Sequence, residues 1–585
     1  MKTTYLKLNT FKEQKIITYL LIFVAILLPI VNTEDIFRYR FEDIKFMIYD
    51  FFSSIVVIYY FNYKKKFNIS FLFVIIFLFM IAMILSVLQS VNVVASMLYI
   101  FRFFNTVIFI VFLYDLLKEK KINLENIGNL ILLSSLIFSL YYIYGTEFKN
   151  IFHLPTPFSS IGHFNYTGHV LNIWIPILLL NFYIQKNRII KITSLFTMLY
   201  LVNLLVLSSS RGSMFGLALS ELVVILFLFL NKRTSYIPII ALSLISIFFI
   251  YKTFFPEMIV DTLNKFKNLE YLVASKDSVE HPKDISVDKE IVNIPLKESK
   301  INVASSGRFN MYRNTVEMIL KNPNGVGIDN FEYIHPKYAK VSTINATPLI
   351  GLNILLKHPH NIILKYTSEI GIFGGILFII IIYMIIKMLL FNITNGDIID
   401  IIITISFGAT LFQSMFSAVF LTPVSIFFIS FLIAMILYRY SVLGSFKIIF
   451  EISKFKYYYL YFIVIIFLSL FYLSKYYDNQ FTTKRNYKYI QKAININPFN
   501  ETALLKIARY EFYANKNYEQ ALYYIDDFLK IYPYSMKGLI EKIRLECKLK
   551  KYDCALLTID KYLTIDKNNK KINLLKNKLR IHPCN

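Results

Sequence analysis

The chain has 585 residues, 56% of them apolar, with 55 phenylalanines against one tryptophan. That balance excludes an ordinary water-soluble enzyme, because lipid has to solvate much of the surface. A net charge of +25 would point to nucleic acid in a soluble protein, but here the excess lies in short connections between apolar runs, which removes that partner and turns the charge into a topology signal.

Thirteen apolar runs recur, near residues 16–32, 46–62, 70–89, 94–115, 128–145, 168–185, 190–208, 213–231, 235–254, 371–391, 398–419, 422–438 and 457–474. Each is long enough to cross a hydrocarbon layer of about 30 Å at about 1.5 Å per helical residue. The expected fold class is therefore all-α, a polytopic transmembrane helix bundle. The first run has a basic flank but no small-residue cleavage site before Thr33, so it is expected to stay as an anchor. The basic clusters Lys64-Lys65-Lys66, Lys118 to Lys121, Lys186 to Lys191, Lys232-Arg233 and Arg439 to Lys456 all follow even-numbered crossings counted from a cytoplasmic N-terminus, and short loops rich in Lys and Arg stay in the cytoplasm. Short loops of the other side are almost free of them, apart from 33–45, where Arg38, Arg40 and Lys45 have acidic neighbours, and apart from Arg211. An odd number of crossings sets the large loop and the C-terminal tail outside the cytoplasm.

Composition divides the chain into 1–254 with nine spans, 255–360 as an external loop, 361–474 with four spans, and 475–585 as a tail. The loop carries 13 Lys/Arg against 12 Asp/Glu and is too nearly neutral to clamp a membrane electrostatically. Its middle, Lys276 to Lys300, reads as a mobile segment. From Arg308 to Leu320, Phe309, Tyr312, Val316, Ile319 and Leu320 recur at helical spacing and predict an amphipathic helix lying against the membrane block, ended by Asn322-Pro323-Asn324-Gly325. A second helix is expected to start at His360 and run into the tenth span.

The tail repeats at a period of 34: Tyr518, Ala521 and Leu522 recur as Tyr552, Ala555 and Leu556, and Phe528 to Ile531 as Tyr562 to Ile565. That is the period of tetratricopeptide repeats, in which a small residue lets paired helices pack closely; Pro498 and Pro533 sit at expected helix ends. With 22 Lys/Arg against 11 Asp/Glu, the tail offers a basic face to anionic lipid, acidic glycan, a partner protein or water alone. Of the three cysteines, Cys547, Cys554 and Cys584, the first two are compatible with a disulfide, which spacing does not decide.

Charged and polar groups at a span's mouth are costly and mark candidate sites. Gly162-His163-Phe164-Asn165-Tyr166 precedes the sixth span and reads as a cavity wall or a turn. In Ser208-Ser209-Ser210-Arg211-Gly212-Ser213 a guanidinium fork suited to phosphate stands among small residues, with Gly212 allowing close backbone approach; an arginine snorkelling to lipid headgroups is the plainer reading. Ser305-Ser306-Gly307-Arg308 opens the amphipathic helix, where free N–H groups favour an anion, or where the serines merely cap it. Lys357-His358-Pro359-His360-Asn361, followed by Glu369 and Gly371, supplies imidazoles able to take a proton from a hydroxyl. Metal-ligand spacing, a Walker loop and a nucleophile elbow are all missing from the sequence, so no metal or other cofactor is expected unless Asp329 or Glu332 is recruited.

The Ser-Arg-Gly turn between two spans, the long loop with Arg308, the stretch 322–327 running into Asn330-Phe331, and His360-Asn361 followed by Glu369 and Gly371 together resemble the O-antigen ligase and O-antigen polymerase superfamily over roughly residues 10–445. The resemblance implies a metal-independent, membrane-embedded glycosyltransferase that takes a glycan from an undecaprenyl diphosphate carrier and passes it to an acceptor hydroxyl on the outer side of the bacterial cytoplasmic membrane. It implies Arg211 and Arg308 as diphosphate-binding residues and His360 as general base. Ser210, Gly212, His163, Asn165, Tyr312, His358, Asn361 and Glu369 are secondary candidates, Tyr312 standing where relatives commonly have Trp. The acceptor is left open among lipid A-core, another glycan and a protein hydroxyl. A transporter or flippase of lipid-linked glycan is the alternative of a different class; internal half-to-half symmetry of the kind transporters show is not evident.

Overall fold

The computed structural model describes residues 18–31, 41–63, 66–69, 71–147, 164–208, 210–238, 308–339, 357–417, 419–443, 450–453, 461–567 and 569–581. Among them ten helices are long and apolar enough to cross a membrane: α2 (Phe41–Tyr63), α3 (Phe71–Ser86, extended to Gln89 by a 3-10 turn), α4 (Val93–Lys118), α5 (Leu124–Glu147), α6 (Phe164–Ile184), α7 (Arg188–Leu207), α8 (Arg211–Leu230), α12 (Ile372–Asn395), α14 (Pro423–Leu443) and α15 (Tyr461–Lys484). Shorter apolar helices α1 (Thr18–Ile30) and α13 (Ile398–Ser414) occupy the expected first and eleventh runs. The run expected at 235–254 lies almost wholly outside the described residues, as does the segment 276–300.

Local chemistry sets the helix ends. Asn92 caps α4 by accepting from Ala95 N, and Asp397 and Asp400 form a reciprocal capping box on α13. At the other end of α12, Arg233 donates to the Thr394 and Gly396 carbonyls at 3.1 and 2.8 Å and to that of Ile393, where a cation suits the helix's negative end. Near the same end of the bundle Arg439 pairs with Asp397 and Asp400. An antiparallel ribbon of β1 (Lys66–Ile69) and β2 (Phe450–Ser453) joins two of the basic connections; this ribbon is the one departure from the all-α expectation among the described residues.

The bundle is apolar inside and out. Trp174 on α6 is fully buried between the rings of Phe138 and Phe428, at 5.7 and 5.1 Å, while Phe77, Phe215 and Phe373 project outward, as side chains solvated by lipid would. The charged groups at one junction of the spans are paired. Arg102 donates to both Asp50 oxygens at 3.1 and 3.0 Å and to the Tyr472 hydroxyl at 2.9 Å, and Tyr472 donates to Asp50 at 2.6 Å. This triad fastens α15, the helix that leads into the tail, onto α2 and α4.

Two expectations need correction. The helix predicted from Arg308 forms as α9 (Arg308–Lys321), but it buries Met311, Asn314, Thr315, Met318 and Ile319, leaving Phe309, Val316 and Leu320 exposed. The chain after α9 folds back, and Met318 packs with Val326, Phe331 and Tyr338, so part of the buried face is turned toward the helix's own downstream loop. The segment after Pro359 is not one helix into the tenth span: α11 (Ile362–Ile370) begins only after the Asn361 cap and ends at Gly371, whose φ of 91° separates it from α12. Between α9 and α11 lies the short α10 (Phe331–Ile334).

The tail is a row of six helices: α16 (Tyr487–Ile496), α17 (Glu501–Tyr510), α18 (Tyr518–Ile531), α19 (Met536–Lys548), α20 (Tyr552–Ile565) and α21 (Lys570–Ile581), each packed on the next. Ala521 and Ala555 are fully buried at the close approaches, and Gly538 lies against the Phe528 ring. Cys547 and Cys554 are separate thiols. The tail lies on the end of the bundle opposite the ribbon. Tyr333 of α10 belongs to the tail's core, its ring 5.0 Å edge-on from that of Tyr532, and Tyr532 donates to the Glu332 carbonyl at 2.9 Å.

Candidate functional site

Glycine geometry builds the framework beneath the tail. Gly325 and Gly327 have φ of 83° and 94°, a region in which a side chain is strained. Their turn grips the break between α11 and α12: Val326 N donates to Ser368 O at 3.1 Å, Gly327 N to Glu369 O at 2.9 Å, and Ile372 N to Pro323 O at 2.9 Å. A Cβ on Gly371 would stand 2.7 Å from the Asn324 carbonyl carbon. The Asn-Pro-x-Gly-x-Gly stretch and the Glu-x-Gly stretch are thus two halves of one clasp.

Glu369 is fully buried and holds the clasp from within. Its oxygens accept from Asp329 N at 2.9 Å, Phe331 N at 3.4 Å and, at 2.8 Å each, Lys365 Nζ. Burial lifts the Glu369 carboxyl to about 7 against the pull of Lys365. For Lys365 burial acts downward, but the facing carboxylate outweighs it and leaves the ammonium raised. Glu369 therefore orders this corner. Lys365 also lies 5.0 Å over the Tyr99 ring and 3.5 Å from Asp329.

His358 and His360 meet edge to face with ring centroids 4.5 Å apart. His360 has a φ of 50°, uncommon for a non-glycine residue. Next to it Asn361 caps α11 by accepting from Leu364 N at 2.9 Å, and its Nδ2 donates to Met415 O at 3.2 Å. Tyr312 donates to the same Met415 carbonyl at 3.1 Å and to His360 O at 3.4 Å, which ties α9, with Arg308 at its start, to the histidines. Burial draws the Arg308 guanidinium below its usual value, the Tyr312 phenol opposing. His358 is held well below the usual histidine range by burial first and then by the charges of His360, Lys365, Lys357 and His169, so it stands as neutral imidazole.

Arg211 is the first residue of α8; its side chain lies outside the described residues. The turn before it is anchored. The Ser210 and Ser213 hydroxyls are 2.6 Å apart, Asn172 donates to Ser213 O at 3.1 Å and to Gln413 Oε1 at 2.8 Å, and Gln413 donates to the Ser213 hydroxyl. Gln413 stands two residues before Met415, so the Ser-Arg-Gly turn and the histidine segment converge on the end of α13. A Cβ at Gly212 would meet nothing within 4 Å, so the backbone there is open on the protein side. Gly168 on α6 lets that helix pack closely on the same turn, facing Ser210 and Ser213. His163 lies outside the described residues, and Asn165 is in α6 with its side chain outside them. One turn on, His169 is buried, with Nε2 2.8 Å from Ser417 Oγ.

A cavity of about 290 Å³ runs from this corner into the bundle. Its apolar part lies among Ile76, Ile110, Ile381, Phe407 and Ile433 of α3, α4, α12, α13 and α14; its polar part holds Asp329, His358, Lys365 and, from α15 and the tail, Lys475, Asn497 and Glu501. His358 lines it; His360 packs edge to face on His358, and its carbonyl accepts from Tyr312 of α9, the helix that Arg308 begins. Sequence reasoning passed over Lys365, His169 and Arg102. The signal for each was a charged or imidazole side chain inside or beside an apolar run, strengthened for Lys365 by its spacing of four from Glu369.

Residues 196–379 match the family model described as O-Antigen ligase. The match takes in Arg211, Arg308, His358, His360 and Glu369 and stops before α13, α14, α15 and the tail. No curated protein matches the chain.

Proposed function

We propose that this multi-pass membrane protein, similar to O-antigen ligases over residues 196–379, is a glycosyltransferase. It moves a glycan from an undecaprenyl diphosphate carrier to an acceptor hydroxyl on the outer face of the bacterial cytoplasmic membrane. One observation carries the reading: a single cavity joins an apolar slot among spanning helices to a polar end bearing His358, Lys365 and Asp329. A ligand with a long hydrocarbon chain and an anionic, sugar-bearing head fits both parts, and neither part alone explains the other.

The chemistry asks little of the catalyst. The acceptor oxygen attacks the anomeric carbon, the bond from that carbon to the diphosphate oxygen breaks, and the diphosphate leaves with the electron pair, inverting the centre. The acceptor's proton passes to an imidazole. In this reading Arg211 and Arg308 steady the negative charge growing on the diphosphate, each contributing roughly 2–4 kcal/mol as preorganised groups in a water-poor site do. His360 is the base, for about 10²–10⁴-fold. A second assignment, His358 as base, is favoured by its position on the cavity wall and its neutral state. No metal is assigned a role. The tail belongs in this reading to the tetratricopeptide class, and the acceptor is lipid A-core, a second glycan chain or a protein hydroxyl.

The assay is transfer by purified protein from lipid diphosphate oligosaccharide to acceptor, without added metal or nucleotide. Glycosylated acceptor supports the enzyme; a flippase would leave the donor chemically intact. Comparing His358→Ala with His360→Ala assigns the base to whichever variant loses turnover while still binding donor.

A further inference from the structure

The tail reaches the cavity. The turn between α16 and α17 contributes Asn497, Phe499, Asn500 and Glu501 to the lining, beside Lys475 of α15 and across from His358 and Asp329. This turn is held by its own hydrogen bonds and by α15. Asn497 Oδ1 accepts from Phe499 N at 3.1 Å, Asn500 Oδ1 caps Ala503 N at 3.2 Å, and Asn500 Nδ2 donates to Ser474 Oγ at 3.0 Å. Thr502 donates to Asp478 at 2.7 Å, and Lys506 pairs with Asp478 at 2.8 Å. Ser474 and Asp478 belong to α15, so the turn is bolted to the last span. Within it Phe499 remains 44% exposed, a large apolar ring displayed at the polar end of a cavity.

We propose that the Asn497–Glu501 turn is a saccharide subsite, with Phe499 as its stacking platform. The inference rests on the glycan-transfer reading and deepens it. A pyranose has an apolar C–H face and a rim of hydroxyls, and it is recognised by an aromatic ring next to polar groups; here Phe499 stands at the cavity wall with Glu501, Asn497 and Lys475. A subsite fixed in advance gains affinity because little is lost in ordering it. The pyranose belongs either to the lipid-linked glycan or to the acceptor, and the two sources give different results below.

The test uses full-length protein in lipid nanodiscs, with two probes: lipid diphosphate oligosaccharide extracted from cells lacking the protein, and undecaprenyl diphosphate without glycan. Phe499→Ala is compared with wild type and with Tyr523→Ala, which removes a 58% exposed ring elsewhere on the tail. If the sugar is the donor's, Phe499→Ala weakens binding of the glycan-bearing probe about three- to tenfold, as loss of one aromatic contact does, and leaves the bare lipid diphosphate unchanged. If it is the acceptor's, both probes bind normally, while transfer to acceptor membranes falls and recovers at raised acceptor concentration. Phe499→Tyr retains function in either case, and Tyr523→Ala behaves as wild type. The proposal is overturned if Phe499→Ala changes neither binding nor transfer, if both probes weaken in parallel, or if transfer falls without recovering as acceptor is raised. Normal transfer by His360→Ala and His358→Ala together would instead end the catalytic reading, while the comparison of the two probes would still decide whether the turn binds sugar.

Discussion

Lys365 and Glu369, one helical turn apart on α11, form a buried pair in which Lys365 Nζ lies 2.8 Å from each carboxylate oxygen, and the same carboxylate holds the N–H groups of Asp329 and Phe331. The partners are not equivalent. Removing Glu369 leaves two N–H groups without their acceptor and the buried ammonium with the more distant Asp329 at 3.5 Å. Removing Lys365 leaves a carboxyl that burial already lifts to about 7, which can take up a proton instead. Glu369→Ala should therefore cost about 3–5 kcal/mol and Lys365→Met less, measured by unfolding in detergent. A carboxyl whose folded pKa is raised gives stability that is full below its unfolded value of about 4.3 and is lost as pH rises through the folded one. Lys365→Met should accordingly be more stable at pH 5 than at pH 8.

Gly325→Ala should open the clasp. A φ of 83° strains any side chain, and the new Cβ would press on Glu369 O and stand 2.6 Å from Gly371 N. Since this neighbour is backbone, it has no rotamer to escape into. A loss of about 1–3 kcal/mol from the strained backbone, and more from the clash, should appear as a lowered melting temperature, together with protease sensitivity between α9 and α11.

Arg102→Met should release the last span. Without the guanidinium, Asp50 stays buried with only Tyr472 as a donor, at a cost of about 3–5 kcal/mol. Tyr472→Phe removes hydrogen bonds and leaves the ion pair, so about 1–2 kcal/mol is expected. Because this triad fastens α15, cross-linking between cysteines placed on the tail and on α10 should weaken in Arg102→Met and persist in Tyr472→Phe.

Acid should loosen the loop under the tail. His335 is 4% exposed, stacked 4.7 Å from Phe331, and burial lowers it to about 4. A depressed histidine gives stability that is present above its unfolded value of about 6.5 and is lost as pH falls through the folded one, here up to about 3 kcal/mol. His335→Phe should flatten the pH dependence of unfolding between pH 6.5 and 4. An unchanged profile would locate the acid sensitivity elsewhere.

The spans were legible because the need to satisfy lipid leaves a strong signal in composition alone. The face of α9 was not. Periodicity shows where apolar residues fall, yet the partner of Met318 is a downstream loop whose return path no local pattern encodes. The break at Gly371 was hidden for a similar reason, since its φ is imposed by a turn more than forty residues earlier. At the site, the described parts of the Ser-Arg-Gly turn, of α9 and of the histidine segment approach the end of α13. The contacts that bring them there, Tyr312 with Met415, His169 with Ser417 and Asn172 with Gln413, join residues about a hundred or more positions apart, where spacing carries no information. Lys365 was read as part of a helix and its pairing with Glu369 missed. The tail's reach to the cavity had no sequence signal beyond the shortness of the link after α15.

Glycan transfer from a lipid diphosphate at the corner holding Arg308, His358 and His360 is open to one direct measurement. Purified wild-type, Arg308→Ala, His358→Ala and His360→Ala proteins are given lipid diphosphate oligosaccharide and acceptor without metal or nucleotide, and product is scored by mass. Wild type should form a glycosylated acceptor, Arg308→Ala should fall by about 30- to 1,000-fold, and one histidine variant should fall by about 10²–10⁴-fold while remaining folded. Undiminished transfer in all three variants, or an intact donor with wild type, would exclude glycan transfer at this corner.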